Sequence, residues 1–109
     1  MKKAQIVKKS KDFNRIIGKR EGKSNNYFII NKEKGSSVTK FGITFTKHIG
    51  NAVTRNKLKR RIKSIIDNNK NVYDKNTTYI IIAKKNVLDL KYNEMEKELV
   101  NLFNKLKGE

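Results

Sequence analysis

Cysteine, proline and tryptophan are absent from this 109-residue chain, and it holds a single histidine. Zero cysteine excludes disulfides and thiolate metal sites. One histidine excludes any mechanism that needs two imidazoles. That residue, His48, sits beside Lys47 just ahead of Gly50 and reads as a surface residue of a basic loop rather than a catalyst. Acids are scarce, at 10 Asp+Glu, and Asp12, Asp67, Asp74 and Asp89 are scattered with no paired-carboxylate spacing. No glycine-rich phosphate loop or dinucleotide motif is present. No apolar run approaches the ~20 residues of a membrane span, and the stretch from Met1 to Lys9 lacks the apolar centre of a secretory signal. These absences favour a binding protein of the cytoplasm over a self-sufficient catalyst, with no membrane and no small-molecule substrate expected.

Positive charge is what the chain has in excess. It carries 27 Lys+Arg, a formal net charge of +17. Charge on that scale opposes compaction unless a polyanion neutralises it, and nucleic acid is the first candidate. The charge is densest from Arg55 to Lys63, where six of nine residues are Lys or Arg and none is acidic. At about 100° per residue, Leu58, Ile62, Ile65 and Ile66 fall on one face of a helix there, with Asn56, Lys57, Lys59, Arg60 and Lys63 over the remainder. Arg55 projects near the edge of the apolar stripe. A helix needing only solubility would mix signs, because like charges at i,i+4 destabilise it; an external anion is therefore the expected partner. Gly50 supplies a turn, and either Asn51 or Thr54 serves as N-cap.

Around this helix the chain reads as one domain over residues 1–109, with a loosely held basic segment over residues 1–9. Ser10 reads as the N-cap of a short helix carrying Phe13, Ile16 and Ile17 and ending near Gly18. Residues 19–25 form a loop, with room for a brief edge strand. Tyr27 to Ile30 is a strand, and Val38 to Thr46 alternates with Phe41, Ile43 and Phe45 on one side. The Glu33–Ser37 turn between them predicts an antiparallel hairpin. Gly42 leaves a gap on the polar face, for close approach of a backbone or ligand, or as a bulge. After the basic helix, which runs to about Asn68, Tyr79 to Ala83 is continuously apolar, a strand covered on both faces. Strand, helix, strand implies a crossover and a parallel pair. A last helix from about Tyr92 to Leu106 places Met95, Leu99, Leu102, Phe103 and Leu106 on one face, and its glutamates keep it from a polyanion. Most rings must fill the core, but one beside an exposed cleft could stack an unpaired base, and Phe13 is the best candidate.

The run from Gly50 to Ile62 closely resembles the Arg-Asn-Arg signature of the bacterial ribonuclease P protein subunit. Lys11-Asp12-Phe13, Phe41 to Lys47 and Tyr79 to Lys84 resemble three further segments of that family, in the same order. The resemblance implies an α/β (α+β) fold: a mixed four-stranded sheet with three helices in αβββαβα order and a left-handed strand–helix–strand crossover. It implies an RNA-binding subunit that joins a catalytic RNA to remove the 5′ leader from precursor tRNA. The RNA carries the chemistry and its Mg2+, and the protein itself holds no cofactor. Residues Lys47, Arg55, Asn56, Lys57, Lys59, Arg60, Arg61 and Lys63 would bind RNA, with the basic helix on the catalytic RNA and Arg55 open to either surface, and Phe13, Ile17, Phe28 and Asn31 would line the leader cleft. Lys57 stands where the family has its second signature arginine, and lysine lacks the bidentate fork on phosphate. Ile17 and Asn31 occupy positions often aromatic in the family. A ribosomal-protein-like module or RNA chaperone is the rival expectation.

Overall fold

Where period-two alternation ends at Phe45, the chain turns through Gly50, whose φ of 110° suits glycine, and enters a helix. The computed structural model describes residues 1, 3–47 and 49–107, so His48 lies outside the described residues. The order is α1 (Ser10–Gly18), β1 (Gly22–Ser24), β2 (Phe28–Lys34), β3 (Lys40–Phe45), α2 (Ala52–Asn68), β4 (Thr77–Ala83) and α3 (Tyr92–Leu106). Short 3-10 turns lie at Lys3–Gln5 and Lys85–Asp89.

The four strands form one mixed sheet in the order β1-β2-β4-β3. β4 pairs antiparallel with β2 and parallel with β3, so the predicted crossover pair is present. The predicted hairpin is not, because β4 lies between β2 and β3. The physical reason is burial. β4 is the most continuously apolar strand, and the centre of the sheet is where both its faces and both its backbone edges are covered.

Alternation along the strands sorts the core into two clusters. Phe28, Ile30, Phe41, Tyr79, Ile81 and Ala83 pack with α2 and α3. On the other face Ile80 and Ile82 meet Val7, Ile16, Phe13 and Ile17. Thus α1 covers one face of the sheet, and α2 with α3 cover the other. Polar ties fix α2: Tyr92 donates its hydroxyl to Ser64 Oγ at 2.8 Å, and Asn69 Nδ2 donates to Glu96 at 3.0 Å. The side chain of Lys32, buried beneath α3, donates to the carbonyl of Leu106 at 3.0 Å, where a cation suits the negative end of the helix.

The N-terminal segment differs from expectation. Instead of lying loose, it docks on the edge of β3: Ile6 bridges Phe41, and the Val7 N–H donates to the Phe41 carbonyl at 2.9 Å. Val7 is buried, and an apolar side chain held there anchors the backbone around it. Ser10 also differs. It is the first helical residue, Lys9 occupies the cap position, and no side chain caps α1.

Candidate nucleic-acid interface

The apolar stripe of α2 is buried as its period demands, with Leu58, Ile62, Ile65 and Ile66 at most 3% exposed. Asn51 is the cap: its Oδ1 accepts the Thr54 N–H at 3.0 Å. Burying the stripe turns the cations outward. Arg55, Asn56, Lys57 and Arg60 are exposed, as is Lys47 ahead of the helix, while Lys59, Arg61 and Lys63 are half-buried. Among the described residues, ion pairs form at Asp67, Asp12 and Glu33, and none engages a cation of α2. The helix therefore presents uncompensated positive charge. Helical period divides it into two flanks with Arg60 between them. Lys59 and Lys63 lie toward β3, where Lys59 Nζ is 6.0 Å from the Phe45 ring centroid, at the outer range of a cation–π contact. Lys57 and Arg61 lie toward Val87 and Leu88.

On the opposite face of the sheet, the Phe13 ring occupies the space that Gly42 leaves. A Cβ on Gly42 would stand 2.6 Å from Phe13 Cζ and 2.8 Å from Ile80 Cδ1. The gap thus seats a ring of the protein itself rather than a backbone, a ligand or a bulge. Phe13 is half-buried, with one side in a depression shared with Asn14, Ile17 and Thr44. Ile17 is common to a second depression that continues over Ile29, Asn31 and Ile82. Phe13, Ile17 and Asn31 therefore border one groove, with Asn31 nearly buried in its floor at 7% exposed.

Phe28 does not belong to that surface. It is fully buried, opposite Ala83 on the face covered by α2 and α3. The expectation of a cleft role is corrected: residues 28 and 31 differ by an odd number along a strand and so point to opposite faces.

Glu33 locks α1 in place over this groove. Arg15 donates to it from Nε at 3.1 Å and from Nη2 at 3.0 Å, and Lys19 Nζ stands 2.8 Å away. The hydrogen bonds from Arg15, then from Lys19, hold the Glu33 carboxyl at about 2, well below the usual range. Arg15 also donates to Asp12 at 2.9 Å, and its own pKa is raised, chiefly by Glu33.

Sequence reasoning missed Arg20, Lys8 and Thr44, which border the groove. Arg20 adopts φ 55°, a left-handed conformation that turns the chain from α1 toward β1. Its only signal was its place in a run read as loop. Among the described residues, no three His, Cys, Asp or Glu side chains gather as a metal site, and no helix is long and apolar enough to cross a membrane.

Comparison with known proteins joins these features. A family model described as Ribonuclease P matches residues 1–107. A ribonuclease P protein component of Streptococcus pneumoniae (strain Hungary19A-6) is 39% identical over 103 residues, covering 94% of this chain and 84% of that protein. The solved RNase P protein of Staphylococcus aureus is similar with a TM-score of 0.81 at 28% identity, over 96% of this chain and 97% of that one. The RNase P protein from Thermotoga maritima is similar with a TM-score of 0.80 at 28% identity, over 94% and 97%. The chain therefore belongs to the ribonuclease P protein family, the RNA-binding protein subunits of a ribonuclease that acts in tRNA processing.

Proposed function

We propose that the two surfaces divide the work of binding: the cationic face of α2, with Lys47, holds the catalytic RNA, and the groove under α1 holds the 5′ leader of precursor tRNA. The observation that carries this reading is their separation, with cations that lack ion pairs among the described residues on one side of the sheet and a half-exposed ring on the other. Clustered Arg and Lys suit the dense phosphate of a folded RNA. A ring beside a narrow groove suits one unpaired strand, whose bases stack while cations such as Lys8 and Arg20 meet its phosphates. Bond cleavage, with its Mg2+, belongs to the RNA partner. The protein positions the substrate in the cytoplasm, where precursor tRNA is made.

Two titrations test the division. Each variant is titrated with the catalytic RNA, and each assembled holoenzyme with precursors that do or do not carry a leader. Arg60→Ala should weaken assembly. Phe13→Ala should leave assembly intact and weaken leader-bearing precursors, by ~1–3 kcal/mol for each base that stacked. Identical profiles for the two variants would contradict the division.

A further inference from the structure

Beside the first turns of α2 lies an apolar notch of about 330 Å³. Its floor is Leu58 and Val87, 3% and 0% exposed, and its walls are Val53 and Leu88, 75% and 44% exposed. Lys57 and Arg61 stand on its rim. Val53 is the most exposed large apolar side chain among the described residues and lies in the first turn of the most cationic helix. Solubility alone does not account for an apolar wall at that position.

We propose that this notch receives one unstacked base of the catalytic RNA, with Lys57 and Arg61 on the phosphates that flank it. The inference rests on the assignment of α2 to that RNA and adds a readout that phosphate contacts cannot supply. Three observations select the occupant. The rim is cationic, the first turn of α2 has no acid, and neither rim residue has an ion-pair partner among the described residues, so the partner is anionic around an apolar part. The rim cations also belong to the basic face, so a molecule on that face reaches the notch without a gap. The volume lies at the bottom of the range for small-ligand sites, ~300–1,000 Å³, which suits one planar ring system and is too small for the apolar face of a helix. Aliphatic walls accept a base face by dispersion and exclusion of water, without selecting its hydrogen-bonding edge.

The test uses the full chain, its ribonuclease P RNA as probe, and a series of KCl concentrations. Val53→Ser with Leu88→Ser changes two exposed side chains, and its thermal midpoint verifies the fold. This double variant should bind the RNA about tenfold more weakly, with the salt slope of the native protein, because no phosphate contact is lost. Lys57→Ala should instead reduce the slope, by about 0.7–0.9 for one phosphate. Chemical probing of the RNA should show one unpaired nucleotide protected by native protein and by Arg60→Ala at saturation, but reactive with the double variant. Native affinity and unchanged protections for the double variant would overturn the inference. If Arg60→Ala still weakened binding, the notch alone would fall, and altered sedimentation of the free double variant would then mark it as a contact between copies of this chain. If neither variant changed affinity, the assignment of α2 would fall with it.

Discussion

Gly42 and Phe13 act as a pair: the absent side chain of one is the seat of the other. A methyl group on Gly42 would overlap the Phe13 ring at 2.6 Å and Ile80 Cδ1 at 2.8 Å. Ile80 is fully buried in the sheet, so the ring is the group able to move. Gly42→Ala should cost about 1–3 kcal/mol through overpacking and lift Phe13 from its groove. Urea unfolding should report the loss of stability. The holoenzyme should also lose its preference for precursors with a leader, while catalytic-RNA affinity stays native. An unchanged leader preference would show that the seating of Phe13 is irrelevant to substrate binding. This pairing was only half legible in the sequence. Alternation exposed the gap at Gly42 and helical spacing singled out Phe13, but nothing local says that a helix and a strand so far apart meet. The cleft role of Phe28 rests on the resemblance alone, and strand period already sets Phe28 on the face opposite Asn31. Because Tyr27 to Ile30 is apolar throughout, the run leaves open only which of its two faces meets α1.

Elements declare themselves through period, and their arrangement does so less well. The ends of α3 and the C-terminal end of α2 fall where the apolar spacing places them, and every residue assigned to the inner face of α3 is buried. Strand neighbours were less visible, because the turn at Glu33–Ser37 looks like a hairpin while the more apolar β4 claims the centre. The latch that holds α1 is not legible in the sequence, since it depends on Arg15 and Lys19 converging on Glu33 from another element. That latch has a pH signature. The Glu33 carboxyl is held at about 2, below its ordinary 4.5, so its contribution is fully present above about pH 4.5 and is lost as pH falls toward 2. Glu33→Gln should therefore be less stable than native at pH 7, by about 1 kcal/mol or less because water screens the half-exposed Arg15 and Lys19. Urea midpoints of the two proteins should converge as pH is lowered. A gap that persists at pH 2 would mean that the carboxylate charge is not what holds α1.

At the scale of the whole molecule, a net charge of +17 is organised rather than spread. Acids pair with cations around α1, glutamates lie on α3, and the cations of α2 are left without ion pairs among the described residues. The same chain offers few groups for acid–base work: Asp12 and Glu33 are engaged with Arg15, and Asp67 with the N-terminus. In the proposed division of work, this molecule binds two RNAs and leaves the cutting to the catalytic RNA. Single-turnover cleavage of precursor tRNA tests it most directly, with the purified protein free of RNA, with the catalytic RNA alone, and with both. Protein alone should leave the precursor intact, and the combination should cleave it at lower precursor concentration than RNA alone does. Cleavage by the RNA-free protein that one side-chain substitution abolishes would contradict it.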